Sequence, residues 1–103
     1  MGWQFDCPRL GTTVELTDER YEHIAERHPD LLPEFFELLR ETLADPDTVE
    51  DGREPSGLVF RRWYDSLYGG NNVLVFVIKD AGTARHRIIS GRVSRVRAPR
   101  GDA

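Results

Sequence analysis

With a single cysteine, Cys7, the 103-residue chain has no internal disulfide and no Cys-based zinc site open to it. Long apolar runs are missing too: the longest uninterrupted one, Val73 to Ile78, falls far short of the roughly 20 residues that a membrane-spanning helix needs. The segment Met1-Gly2-Trp3-Gln4-Phe5-Asp6 has no basic stretch followed by an apolar one, so no secretory signal is expected and the default location is cytoplasmic. No Gly-rich phosphate loop, G-x-S-x-G elbow or C-x-x-C pair occurs, which leaves nucleotide-triphosphate, serine-hydrolase and thiol-redox chemistry without support. Histidine is scarce, with three in all. His23 has Glu19, Glu22 and Glu26 near it in sequence, but no H-E-x-x-H pair is present and His86 is remote, so no metal and no cofactor is expected.

What the chain does contain is 39% hydrophobic and 31% charged residues, a mean hydropathy of -0.51 and ten aromatics. That describes one soluble globular domain over residues 1–103, with a core from about 12 to 94 and a tail expected to fray from Arg97 onward. The charge is unevenly spread. Residues 1–57 hold 15 acidic and 5 basic side chains, while residues 58–103 hold 9 basic and 3 acidic. Such a split yields either an anion-binding face on the basic half or two halves that neutralise each other across the fold.

Periodicity changes along the chain. Thr12 to Leu16 alternates like a strand, and Thr17 then makes a good N-cap, with Asp18 and Glu19 where a helix dipole favours acids. A helix from about Asp18 to His28 follows. Tyr21, Ile24, Ala25 and His28 form its inner stripe, and Arg20, His23 and Arg27 a second, cationic one. Pro29 closes it. A second helix is predicted from Pro33 to about Ala44, with Phe36, Leu39 and Leu43 inward, ended by Asp45-Pro46-Asp47. The period then falls to two: a short strand at Thr48 to Glu50, a clearer one at Leu58 to Tyr64, a central one at Val73 to Lys79, and a return strand from Arg85 to about Val93 after the Asp80 to Thr83 hairpin connection. This order predicts an α+β domain whose N-terminal helices pack on one face of an antiparallel sheet of about four strands.

Chemistry concentrates in His23-Ile24-Ala25-Glu26-Arg27-His28-Pro29. An imidazole exchanges protons near neutral pH and a guanidinium holds a phosphate oxygen bidentately. Against this, His28 could equally be a packing histidine, and His23 with Arg27 a solvated face. The strands add Arg61, Arg62, Lys79, Arg85, Arg87, Ser90 and Arg92. By alternation Phe60, Arg62 and Tyr64 share one side and Arg61 and Trp63 the other. An arginine beside an aromatic suits RNA, whose bases stack and whose phosphates need cations.

Taken in order, the Val-Glu-Leu-Thr lead, the His-Ile-x-x-Arg-His-Pro helix, the Asp-Pro-Asp stop, the Phe-Arg-Arg strand and the Val-x-Val-x-Val-x-Lys strand resemble the phage- and toxin-associated nuclease domains of the barnase/EndoU/colicin/RelE-like group, over about residues 12 to 94. The resemblance implies a metal-independent endoribonuclease that cleaves single-stranded RNA or tRNA by attack of the 2′-OH. It implies catalytic roles for His23, Arg27, His28, Arg61, Lys79 and Ser90; from the strand pattern itself, Arg62, Tyr64, Arg85, Arg87 and Arg92 are expected as RNA contacts. Ser90-Gly91 departs from the Thr-Ala pair frequent at that place in this group. The alternative is a catalytically silent module of the same fold that binds RNA or a protein. A toxin whose Arg-rich face is covered by an acidic antitoxin or immunity protein is compatible with either.

Overall fold

Thr17 marks the turn from strand to helix: its hydroxyl accepts the Arg20 N–H at 3.1 Å and caps helix α1, Asp18–Arg27. The structure, a computed structural model, describes residues 2–80, 82–83 and 85–95. The tail expected to fray from Arg97 lies outside them. Ahead of α1 come strands β1, Gly2–Cys7, and β2, Thr12–Thr17. Helix α2, Phe36–Ala44, is followed by β3, Thr48–Asp51; β4, Gly57–Tyr64; β5, Asn71–Lys79; and β6, His86–Ser94.

The α+β class stands, but the sheet is not the antiparallel sheet of about four strands that was predicted. It has six strands in the order β1-β2-β6-β5-β4-β3, and β2 runs parallel to β6 while the other neighbours are antiparallel. Two features account for the difference. Trp3, Phe5 and Cys7 alternate with Gln4 and Asp6 to make β1, which pairs with β2 across a tight connection in which Gly11 takes φ 67°, a conformation that glycine adopts without a Cβ clash. The join of Val14 to His86 unites segments from opposite ends of the chain, a pairing that chain order cannot show.

The second helix also starts later than Pro33. The segment ahead of α2 makes turns instead, in which the Leu31 and Leu32 N–H groups donate to the His28 carbonyl and the Phe35 N–H to the Leu31 carbonyl, and Leu31 and Leu32 are both fully buried. Ile24, Leu31, Leu32, Leu39 and Leu43 meet Val14, Leu16, Phe60, Val73, Val75, Val77 and Ile88 in one core. An aromatic cluster of Trp3, Tyr21 and Phe36, with centroids 4.8 to 6.0 Å apart, ties β1 to both helices. As its apolar composition implied, β5 lies between β4 and β6 inside the sheet.

Between Phe76 and Val77 the β5–β6 ladder slips by one residue. Val77 opposes Ile88, but Phe76 opposes Ser90 and leaves Ile89 extra in β6. The slip lets Ile88 and Gly91 both face the core, while Ser90 and Arg92 face away with Phe76 and Leu74. A Cβ on Gly91 would sit 3.2 Å from the Leu31 side chain, so the bare backbone there is what admits the helical layer so closely.

Cys7 closes β1 and is 1% exposed inside the core, where burial pushes its thiol up from the ordinary range. Replacing the thiol by a hydroxyl, Cys7→Ser, is expected to cost about 1–3 kcal/mol in urea unfolding. The native thiol should stay unmodified by an aromatic disulfide reagent until denaturant is added.

Candidate functional site

The face of the sheet turned away from the core cluster is set by alternation. From β4 it shows Val59, Arg61 and Trp63; from β5, Leu74, Phe76 and Ile78; from β6, Arg87, Ser90 and Arg92. A groove of about 450 Å³ opens here, within the range of small-ligand sites. His28 at the end of α1 lines it together with Ile89, Ser90 and Arg92, with Val59, Phe76 and Ile78, and with Asp51 at the end of β3 and Gly52, Arg53 and Glu54 of the β3–β4 loop. The Arg92 guanidinium lies 5.6 Å from the centre of the Phe76 ring, a cation–π contact that holds a cation over the groove.

His28 reaches this position because it is the C-cap of α1, with φ -132° and ψ 66° instead of helical angles. Its N–H bonds the Ile24 carbonyl, and its own carbonyl accepts from Leu31 and Leu32. Tyr21, Ile24 and Ala25 do form the inner stripe, but His28 is only partly buried and stands outside the core cluster. The cationic stripe is divided. His23 and Arg27 are exposed and do not line the groove, whereas Arg20 turns its guanidinium to the Ile89 carbonyl at 3.4 Å.

The strand cations converge only in part. Arg61 shares the open face but binds Glu50, Nε to Oε2 at 2.9 Å. Arg62 and Tyr64 lie on the other side, as alternation requires. There Arg62 donates to the backbone and carboxylate oxygens of Asp45 at 2.6 and 2.9 Å, and Tyr64 donates to Glu41 at 3.1 Å. Burial foremost, with the Glu41 carboxylate beside it, pushes the Tyr64 phenol up to about 12, so it serves as a hydrogen-bond donor under α2. These two side chains pack the end of the helical layer and cannot share a surface with Arg61. Lys79 is exposed at the end of β5 on the Val77 side, away from Ser90 and Arg92. Arg87 pairs with Asp80 at 2.8 Å and Arg85 with Glu15.

The electrostatic split therefore folds in part onto itself. Arg61–Glu50, Arg62–Asp45 and Arg85–Glu15 each join the basic half to the acidic half. Among the described residues Arg92 and Arg53 form no ion pair, and both line the groove. Two contributors escaped the sequence analysis: Phe76, whose outward direction follows from alternation in β5, and Arg53, which the loop alone brings in. No group of three or more His, Cys, Asp or Glu side chains among the described residues is arranged to hold a metal. No family model, curated protein or solved structure matches the chain, so the groove's own chemistry is the basis for a functional reading.

Because His28 lies at the groove and its backbone bonds survive truncation, His28→Ala is expected to cost about 1 kcal/mol or less, below the larger cost that a core position would carry. His23→Ala should stay within about 0.5 kcal/mol. Urea midpoints of the two variants check both values.

The Arg61 guanidinium bonded to Glu50 holds its carboxyl below the usual range. A depressed folded value means that the pair's stabilisation is present above the ordinary glutamate value and disappears as pH falls through the lower folded one. Since Glu50 is largely exposed, the effect is expected to be under about 1 kcal/mol. Glu50→Gln should be slightly less stable than the parent at neutral pH and indistinguishable from it well below pH 4, read from urea midpoints across pH.

Proposed function

We propose that the groove cleaves single-stranded RNA without a metal, by attack of the ribose 2′-OH on the adjacent phosphate. The observation that supports this reading is the meeting of His28, Ser90, Arg92 and Phe76, drawn from α1, β6 and β5, around one cavity of nucleotide size. In the reaction the 2′-oxygen loses its proton and bonds phosphorus, the P–O5′ bond breaks, and the 5′-oxygen gains a proton. The products are a 2′,3′-cyclic phosphate and a 5′-hydroxyl. His28 is the imidazole at the groove and exchanges protons with the reacting oxygens. Arg92 stabilises the charge that builds on the nonbridging oxygens, and the Ser90 hydroxyl orients one of them. Phe76 keeps Arg92 in place. On this reading Arg92 takes the phosphate role first assigned to Arg27 and Arg61, and His23, Arg62, Tyr64 and Lys79 stand outside the reacting centre. A toxin restrained by an acidic antitoxin or immunity protein fits the same site.

The carboxylate pairing of Arg61, Arg62, Arg85 and Arg87 favours a second reading, a catalytically silent module that binds RNA or a protein partner. Incubation of the purified protein with labelled RNA in EDTA, with product ends identified, separates the two. The expected result is cleavage to 2′,3′-cyclic phosphate ends, a loss of roughly 100-fold in rate for His28→Ala, about tenfold for Arg92→Ala, and little change for His23→Ala. Binding without cleavage would select the module.

A further inference from the structure

The β3–β4 loop has no role in the reaction just described, yet it forms one wall of the groove. Two backbone bonds close it, Gly52 N–H to the Gly57 carbonyl and Gly57 N–H to the Glu54 carbonyl, both at 2.9 Å. The Ser56 hydroxyl fastens it to the Lys79 carbonyl at 3.0 Å. A Cβ on Gly52 would lie 3.2 Å from Gly57 backbone, and one on Gly57 3.1 Å from Glu54 Cβ, so the two glycines allow the close turn. The loop therefore presents Arg53 from a tied base.

Arg53 is exposed and makes no ion pair among the described residues, in contrast to Arg61, Arg62, Arg85 and Arg87. It lines the same groove as Arg92, which comes from β6 and rests on Phe76. The groove thus has one arginine from the loop and one from the sheet in its lining. Asp51 and Glu54 also border the cavity, so a polyanion is not drawn here by bulk positive charge. What the lining offers an anion is two individual guanidinium groups, a type suited to bidentate contact with a phosphodiester.

We infer that Arg53 is a phosphate-binding residue of this groove, gripping a phosphodiester of a single-stranded nucleic acid alongside Arg92. The inference rests on the groove being the RNA site but does not require that RNA be cut there.

The test uses a short single-stranded oligonucleotide carrying 2′-O-methyl groups throughout, which cannot undergo 2′-OH attack, titrated by fluorescence anisotropy at several salt concentrations. Arg53→Ala is expected to weaken binding about tenfold and to reduce the slope of log affinity against log salt by about 0.7, the loss of one phosphate contact on a single strand. Arg53→Lys should recover part of both. Arg40→Ala removes the same charge from α2, where Arg40 pairs with Glu37, and should leave affinity within about twofold. Equal losses for Arg53→Ala and Arg40→Ala, an unchanged slope, or no binding of the probe by the parent protein would each overturn the inference. Urea midpoints equal to the parent's confirm that both variants fold. Cleavage of unmodified RNA, measured separately, keeps the two ideas apart. Cleavage unaffected by Arg53→Ala, together with unaffected binding, removes Arg53 and leaves the nuclease reading. Arg53-dependent binding without cleavage removes the nuclease reading and leaves Arg53.

Discussion

Between Phe76 and Val77 the hydrogen-bonded ladder of β5 and β6 takes in one extra residue, and the direction of every β6 side chain beyond that point follows from it. In a strand of unbroken period, Ile88 facing the core would place Ser90 and Arg92 toward the core as well. The cost of burying a hydroxyl and a guanidinium there without partners would exceed what the segment could repay. The slip reverses the parity. Ile88 stays buried, Gly91 meets Leu31 and Leu39, and Ser90 and Arg92 emerge beside Phe76. A bulge that re-aims side chains at the edge of a cavity is a recurrent use of this irregularity.

The helical layer depends on the same residue. Because Gly91 has no side chain, Leu31 and Leu39 seat directly on the sheet, and the turn of residues 29–35 that buries Leu31 and Leu32 is anchored on the His28 carbonyl. The bonds that end α1 thus also fix where His28 stands. Packing on one face and the position of the imidazole at the groove are linked through that single turn, which is how a core arrangement becomes a site geometry.

Charge is organised by the same economy of partners. Guanidinium groups that fall near carboxylates bind them, as Arg61, Arg62, Arg85 and Arg87 do, and exposed pairs of this kind contribute little stability while removing cations from the list of anion contacts. The polarity between the two halves of the chain is consequently a poor guide to where an anion would bind. What distinguishes the groove is local: Arg92 is held by an aromatic ring and Arg53 by a tied loop.

The elements were legible wherever they depend on neighbours in sequence. Thr17 as cap, Ile24 inside α1, Leu39 and Leu43 inside α2 and the apolar β5 all follow from spacing and capping, because helix and strand periods are local properties. The division of Phe60, Arg62 and Tyr64 from Arg61 and Trp63 was legible for the same reason. The alternation in β1 was present too, in Trp3, Phe5 and Cys7 against Gln4 and Asp6, although no strand was assigned there. Beyond that reach, tertiary structure decided. Only the fold could set β2 beside β6, bring the β3–β4 loop to the end of α1, choose a carboxylate for each arginine, and slip β6 by one residue so that Ser90 and Arg92 face outward. Each of these joins residues distant in the chain. Such contacts are selected by the burial and pairing of the whole molecule, so no window of sequence contains them.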